Sequence, residues 1–216
     1  MTLPRRLAEY DSPEGAREYL EEYEKLHRRL SDRREKAILR RWFAGLEPVG
    51  TVLDLPSGWG RYTPELQVLG RSLVRADYSG EMLRLARRLF PDPPALGAFR
   101  AFGHRIPARD RAFDLVFSMR LNHHLPDPEV RRGHLREILR VSAHYALFSY
   151  FDAASLKNRL RELERRLGRP KRAKNTLRRA EVEALIREAG FEIVESRLLF
   201  LLGSGHRLVL ARRLPG

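Results

Sequence analysis

Two carboxylates stand where predicted strands end, and a turn of small residues follows the first. Asp54 is the fourth residue of the apolar stretch TVLDL, which the turn P-S-G-W-G follows, while Asp77 ends the stretch SLVRAD. Gly58 and Gly60 allow the backbone to approach a ligand closely, and a helix from about Arg61 would point its positive N-terminal end at that ligand. An acid at the end of the next strand is placed to accept hydrogen bonds from ribose hydroxyls. The series therefore predicts a nucleoside-cofactor site.

These residues need a sheet to position them. Six short stretches rich in Val, Leu, Ile or Phe read as strands: TVLDL, SLVRAD, FDLVFSM, YALFSYF, FEIVESRLLF and HRLVLARR. Helical segments at 80–89 and 128–141 separate the earlier ones, and this alternation predicts a mostly parallel sheet with helices on both faces. The last two strands, at about 191–200 and 206–213, are joined by a short loop and should pair antiparallel.

Composition excludes several classes of protein. The chain has 216 residues, 43% hydrophobic and 32% charged, as expected of one globular domain. It contains no apolar run of the roughly 20 residues that a membrane span needs and no secretory signal, so we expect a cytoplasmic protein. The absence of cysteine excludes disulfides and thiolate metal sites. We expect His104 and His134 at the surface, and because neither has metal-ligand spacing, we predict no metal.

The net charge of +14 is concentrated in one window, residues 157–179, which holds eleven basic and two acidic residues. This window predicts an amphipathic helix that ends near Gly168 and Pro170. Three interpretations remain open beside a simply solvated helix: an anionic acceptor such as a phosphorylated lipid or glycan, an anionic membrane surface, or RNA. RNA is the weakest, because the window has few aromatic residues. The apolar positions of the helix are Leu156, Leu160, Leu163 and Leu167.

The spacing of the glycines in the turn distinguishes between two kinds of cofactor site. A dinucleotide fingerprint requires G-x-G-x-x-G, and the third glycine is missing here, so NAD is disfavoured. The turn instead resembles motif I of class I S-adenosylmethionine-dependent methyltransferases, with Asp54, Pro56, Gly58 and Gly60 at the matching positions, and Asp77 matches the family's ribose-binding acid. The segments RIPARDRAFDLVFSM, LNHHLPDPE and REAGFEIVE continue the resemblance, which covers roughly residues 50–213.

The resemblance implies a fold and a domain organisation. The expected fold is α/β, Rossmann-like, with a seven-stranded mostly parallel sheet, an antiparallel last strand and helices on both faces. Residues 1–45 would form an N-terminal helical cap, and residues 46–216 the methyltransferase domain with a basic helical insertion at about 153–179. Four tyrosines are either a cover for the methionine end of the cofactor or ordinary packing residues: Tyr10, Tyr19, Tyr23 and Tyr62.

S-adenosyl-L-methionine is the implied cofactor. The sequence departs from the pattern where Pro56 replaces a glycine and where Phe102 replaces an acid that reads adenine; Phe102 would stack on the ring and the Gly103 N–H would read its edge. The residues expected to bind the cofactor are Asp54, Pro56, Ser57, Gly58, Gly60, Asp77, Tyr78, Phe102, Gly103, Ser118 and Met119.

The sequence says less about the methyl acceptor than about the cofactor. His123 and His124 follow the fourth strand, and a neutral imidazole there is a candidate base, with His123 and Arg120 as candidate substrate contacts. The leading hypothesis is methyl transfer to an oxygen or nitrogen of a small acceptor that is anionic or linked to a lipid or glycan. The alternatives are a nonenzymatic binding or scaffold protein with this fold and an RNA methyltransferase. The oligomeric state is not predicted.

Overall fold

A seven-stranded sheet forms the centre of the computed structural model, which describes residues 9–23, 25–91, 96–169 and 174–215. Its strand order is β3-β2-β1-β4-β5-β7-β6, and β7 runs antiparallel to both of its neighbours while the other pairs are parallel. The predicted mostly parallel sheet is therefore confirmed. The strands are β1 Val49–Asp54, β2 Gly70–Asp77, β3 Gly97–Arg100, β4 Phe113–Ser118, β5 Ser142–Phe151, β6 Phe191–Leu198 and β7 His206–Arg213.

The helices follow the predicted alternation closely. Two predicted helices have the expected bounds, and the helix after β1 begins at Thr63, two residues after the expected start at about Arg61. The cause is a pair of turns in which Gly60 donates to the Ser57 carbonyl and Thr63 to the Gly60 carbonyl. The helices are α1 Pro13–Glu22, α2 Leu26–Phe43, α3 Thr63–Leu69, α4 Gly80–Leu89, α5 Pro128–Val141, α6 Leu156–Arg166 and α7 Arg179–Glu188.

Neighbouring residues of the central strands enter different hydrophobic cores. Val52 and Leu53 of β1 lie on opposite faces of the sheet, since side chains alternate along a strand. One core contains residues of α2 and α3, and the other contains residues of α5 and α7. The predicted helices on both faces are confirmed, and α2 contributes Leu39 and Trp42 directly to the first core.

The edge strand β3 is the one that the apolar pattern missed. It has only four residues, GAFR, and none of them is fully buried. A short edge strand lacks the apolar run that marks a central one. It nevertheless pairs with β2 along Val74–Asp77 and adds the edge strand beside Asp77.

The order of strands creates a cleft at one end of the sheet. β1 lies between β2 and β4. The chain continues from β1 to β2 on one side and from β4 to β5 on the other, so the direction of the strand order reverses between β1 and β4. Such a switch in strand order is where ligands bind in sheets of this kind, at the carboxyl ends. The residues Asp54, Asp77 and Ser118 end the three strands there.

Part of the predicted domain organisation lies outside the described residues: residues 1–8 and Glu24 of the expected cap, residues 92–95 and 216 of the expected methyltransferase domain, and residues 170–173 of the expected insertion, including Pro170. Where the chain is described, α6 ends at Arg166 and is followed by Gly168 with a φ of 76°. None of the helices in this described part has the length and apolar character needed to cross a bilayer.

Candidate functional site

The carboxylate of Asp77 joins the end of β2 to the turn after β1. Its Oδ2 accepts the backbone N–H of Gly58 and its Oδ1 accepts that of Ser79, both at 2.9 Å. The residue is 3% exposed. Burial raises the pKa of the carboxyl to about 6, although the backbone N–H groups act in the opposite direction. Asp77 is thus a fixed acceptor that is ionised at neutral pH.

Asp54 has a different environment. It is fully buried, and among the described residues neither of its carboxylate oxygens has a hydrogen-bond partner. Burial raises the pKa of this carboxyl well above its usual value, and Arg75, its neighbour on β2, only partly offsets that effect. Asp54 lies behind the turn and does not line the cleft.

The cleft itself has a cavity volume of about 70 Å³. The turn after β1, the ends of β2 and β4, and the N-terminal segment all contribute to its wall. Its lining residues are Tyr10, Tyr19, Pro56, Ser57, Gly58, Trp59, Arg61, Tyr62, Asp77, Tyr78, Met82, Met119, Arg120, Leu121 and His124.

The structure brings together some of the predicted site residues and separates others. Those that line the cleft are Pro56, Ser57, Gly58, Asp77, Tyr78, Met119, Arg120 and His124. Those that do not line it are Asp54, Gly60, Phe102, Gly103, Ser118 and His123.

Packing explains why glycine is needed at the two predicted site glycines that do not line the cleft. Gly60 has a φ of 84°, and a Cβ there would lie 2.9 Å from the Phe90 ring. A Cβ on Gly103 would lie 2.4 Å from Leu121 and 2.9 Å from the His134 ring. Both positions therefore exclude a side chain for reasons internal to the protein.

The expectation that His134 lies at the surface is wrong. Its ring is fully buried, with Nε2 2.9 Å from the Ser118 hydroxyl and Nδ1 3.1 Å from the Asn122 amide nitrogen. Burial lowers the pKa of His134 to about 3, so the ring is neutral. This contact also occupies Ser118, which faces away from the cleft and into the fold.

Phe102 lies close to the cleft without lining it. Its ring is nearly parallel to that of Tyr78, with an interplanar angle of 14° and 6.5 Å between the centroids. Phe102 is 48% exposed, whereas Tyr78 lines the cleft. The two rings form an aromatic face beside Asp77.

A buried carboxylate of α2 organises the opposite wall, and the sequence analysis did not identify it. Glu35 accepts hydrogen bonds from Arg61 at 3.0 Å, from the Tyr62 hydroxyl at 2.7 Å and from Arg120 Nε at 2.9 Å. Burial alone would raise the pKa of Glu35, but the two guanidinium groups outweigh it and lower the pKa to about 2. Arg120 is therefore already paired with a carboxylate.

The N-terminal tyrosines cover the cleft. Tyr10 and Tyr19 have their ring centroids 4.7 Å apart, and the Arg61 guanidinium lies 4.7 Å from the centre of the Tyr23 ring. Tyr62 is buried against Phe117, with 4.8 Å between centroids. Tyr19 also contacts Tyr23, with 5.4 Å between centroids, and Arg61 lies over the rings of both Tyr23 and Tyr62, so the four tyrosines belong to one cluster beside the turn.

Polar contacts hold this segment against the start of α4. The carboxylate of Asp11 accepts the Gly80 N–H at 2.9 Å and an Arg100 N–H at 2.8 Å. The Ser79 hydroxyl donates to the Tyr10 carbonyl at 2.7 Å. The segment is thus fixed beside Asp77 by groups that are mostly near the surface.

His123 lies behind His124 in a cluster of rings. The ring centroids of His123 and His124 are 4.1 Å apart, and those of His206 and Phe151 lie 4.7 and 4.3 Å from that of His123. Burial lowers the pKa of His123 well below its usual value and that of His206 to about 3. Both rings are therefore neutral at physiological pH. Within the described ranges, no group of three or more His, Asp or Glu side chains is arranged to hold a metal ion.

Two comparisons with known proteins found similarity to methyltransferases. Residues 53–148 match the family model described as a methyltransferase domain. A search of curated proteins found no match. Similar solved structures include magnesium protoporphyrin IX methyltransferase from Synechocystis PCC 6803 with bound SAH, at 15% identity and a TM-score of 0.70 over 86% of this chain and 85% of that one.

Two further structures extend the likeness. A possible histamine N-methyltransferase from Thermotoga maritima has 17% identity and a TM-score of 0.63, covering 97% of this chain and 100% of that one. The N-methyltransferase NodS from Bradyrhizobium japonicum WM9, in complex with S-adenosyl-l-homocysteine, has 16% identity and a TM-score of 0.62, covering 84% and 86%. At these identities the likeness shows the fold, which is the Rossmann-like fold of class I methyltransferases.

Proposed function

We infer that this chain, whose residues 53–148 match the methyltransferase domain, is a class I methyltransferase that uses S-adenosylmethionine. The observation that carries the inference is the carboxylate of Asp77, held by the N–H groups of Gly58 and Ser79 where β1 and β2 end. A carboxylate in this position accepts hydrogen bonds from ribose hydroxyls. We further propose that the methyl group goes to an oxygen or nitrogen of a small acceptor.

The residues around Asp77 fit a nucleoside cofactor. Gly58 lines the cleft with a φ of 52°, and a Cβ built on it would meet no atom within 4 Å, so the backbone is open to a ligand. The buried Tyr78 hydroxyl has no hydrogen-bond partner among the described residues. We assign the ribose to Asp77 and the adenine to the aromatic face of Tyr78 and Phe102.

S-adenosylmethionine supplies a methyl group that its sulfonium already activates. The protein must therefore align the acceptor, exclude water and remove at most one proton. Tyr10 and Tyr19 exclude water from the cleft in this proposal. His124 is assigned as the proton acceptor because it lines the cleft, whereas His123 lies behind it.

The small cavity implies movement of the N-terminal segment. A ligand site normally has roughly 300–1,000 Å³, whereas the cleft has about 70 Å³. Tyr10 and Tyr19 must shift outwards to admit the cofactor, and the contacts of Asp11 with Gly80 and Arg100 are the ones to open. Hydrogen exchange in residues 9–23 should therefore change on addition of S-adenosylhomocysteine, while exchange in β4 should not.

We propose an acceptor with an anionic part or a lipid or glycan link, because the basic window reaches the histidine side of the cleft. The Asn175 amide donates to the His123 carbonyl at 2.9 Å, and the Lys174 ammonium lies 5.9 Å from the centre of the Phe151 ring. The anionic part is assigned to the Lys174 side, because this cation lies beside Phe151 in the histidine cluster.

Calorimetric titration with S-adenosylmethionine and S-adenosylhomocysteine tests the cofactor proposal. We expect the wild-type protein to bind both and Asp77→Asn to bind at least about tenfold more weakly, because the lost charge-assisted hydrogen bonds are worth roughly 1.5–3 kcal/mol. Asp110→Asn is the matched control, since Asp110 lies at the surface and pairs with Arg140. Absence of binding by a folded wild-type protein would favour the scaffold alternative.

The assignment of the base has its own test. Once an acceptor is found, His124→Gln should lower kcat by roughly 10²–10⁴-fold and abolish the acidic limb of the pH profile of kcat, measured at saturating cofactor so that the ionisation of Asp77 does not contribute. His123→Gln should retain that limb. An unchanged profile in His124→Gln would remove the base from the mechanism and leave the cofactor site intact.

A further inference from the structure

Helix α6 presents a row of leucines to solvent. None of its eleven residues, all of which the structure describes, is buried. The leucines at 156, 160, 163 and 167 are 47–70% exposed, and their spacing confines them to a stripe of about 60° on the helix. On another side of the helix the Asn158 amide donates to the Asp152 carbonyl, which ties α6 to the body of the protein.

The loop between β6 and β7 adds two more exposed leucines. Leu201 and Leu202 are 78% and 72% exposed. This loop adjoins the first turn of α6, because the Lys157 ammonium donates to the Gly203 carbonyl at 2.6 Å. We define the leucine surface as Leu156, Leu160, Leu163, Leu167, Leu201 and Leu202.

The start of α2 continues this surface on the other side of the loop. Leu26 and Leu30 are both more than half exposed. Arg34, one turn further along the same side of the helix, donates to the Leu199 carbonyl, and its guanidinium lies 5.1 Å from the centre of the Phe200 ring. Three separate elements thus contribute exposed leucines to one region of the molecule.

Basic side chains surround the leucines of α6. Residues 156–169 contain six Lys or Arg and two Glu, and within this segment Arg165, Arg166 and Arg169 are each more than half exposed. An apolar stripe flanked by cationic side chains on a helix of low mean hydropathy is typical of segments that lie in a membrane interface.

We propose that the leucine surface docks on an anionic lipid bilayer. A bilayer supplies both complements, since acyl chains cover the leucines and anionic headgroups meet the arginines. RNA would pair with the arginines but leave the leucines in water. A second copy of this chain would cover the leucines but oppose two strongly basic surfaces.

The leucine surface lies beside the cleft. The loop that carries Leu201 and Leu202 leads into His206, whose ring is 4.7 Å from His123, and the adjacent His124 lines the cleft. A bilayer docked on this surface would therefore face the acceptor side of the site. This last step rests on the proposed function, whereas the docking itself does not.

Cosedimentation with lipid vesicles tests the docking without cofactor or acceptor, so its failure would leave the methyltransferase proposal standing. We expect binding to vesicles of phosphatidylcholine mixed with phosphatidylserine and at least about tenfold weaker binding to phosphatidylcholine alone. Leu163→Glu should weaken binding to the mixed vesicles by about tenfold or more. Val68→Glu is the matched control, because Val68 is also apolar and is even more exposed than Leu163 but lies on α3, outside the leucine surface.

The basic residues have a separate expected effect. Arg166→Gln should weaken binding to the mixed vesicles by about fivefold, the equivalent of roughly 1 kcal/mol per cationic residue near an anionic surface. Failure of the folded wild-type protein to bind the mixed vesicles would overturn the proposal. Binding that Leu163→Glu leaves unchanged, together with salt-sensitive binding to RNA, would overturn it in favour of a nucleic-acid surface.

Discussion

Replacing Glu35 by Gln tests the buried network behind the cleft wall. Gln keeps the size of the side chain but removes the charge that compensates Arg61 and Arg120. The fall in the pKa of Glu35 from its usual 4.5 to about 2 corresponds to about 3 kcal/mol in favour of the ionised, folded state. Breaking a buried ion pair by removing one partner costs a similar amount, roughly 3–5 kcal/mol.

We therefore expect Glu35→Gln to lower the free energy of unfolding by about 3 kcal/mol and Tm by about 10 °C. Urea unfolding followed by circular dichroism measures the first quantity. Because the pKa of Glu35 is lowered in the folded state, its contribution is complete above about pH 4.5 and is lost as the pH falls through about 2. The difference between the variant and the wild type should shrink over that range.

The control is Glu129→Gln, which removes a carboxylate that is mostly exposed on α5. It should unfold close to the wild type at every pH, since exposed ion pairs contribute little. A Glu35→Gln variant that unfolds within about 1 kcal/mol of the wild type at neutral pH would refute the reasoning. A difference that does not vary between pH 5 and pH 2 would refute its electrostatic part.

Three further predictions concern the cleft and the packing near it. Because burial raises the pKa of Asp77 to about 6, affinity for S-adenosylhomocysteine should be high above that pH and fall below it, and calorimetry should show no such fall with Asp77→Asn. Gly58→Ala should lower the free energy of unfolding by about 1–2 kcal/mol, because an alanine is strained at the left-handed φ of 52°, and the added methyl group at the cleft lining should weaken cofactor binding in the same assay. Gly103→Ala should lower the free energy of unfolding by about 1–3 kcal/mol through contact with Leu121, whereas Gly97→Ala, which meets no atom within 4 Å, should not.

Local patterns were sufficient to predict the sheet and the turn, because both depend on neighbouring residues. The apolar stretches that end at Asp54 and Asp77 became β1 and β2 with those ends. The two helices at 80–89 and 128–141 kept their predicted bounds for the same reason. The short edge strand β3 has no comparable apolar run and was not recognised.

No local sequence pattern indicated which polar side chains are buried. Glu35 lies in the charged stretch SDRREKAILRR, which reads as a solvated helix, and its partners Arg61 and Arg120 are 26 and 85 residues away along the chain. His134 lies in the largely charged stretch RRGHLRE, and its ring is buried by tertiary packing beside Ser118, Asn122 and Gly103. Such contacts are fixed by the tertiary fold and leave no trace in residue spacing.

The two acids at the ends of β1 and β2 have similar positions in the sequence pattern but different surroundings in the fold. Asp54 and Asp77 both end parallel strands, and burial raises the pKa of both. Backbone N–H groups hold Asp77 at the cleft, whereas Asp54 lies behind it beside Arg75. The negative charge of Glu35 is compensated by two arginines. Asp77 therefore supplies the negative charge on the ribose side of the cleft at neutral pH. The pH dependence of cofactor binding should therefore follow that one carboxyl.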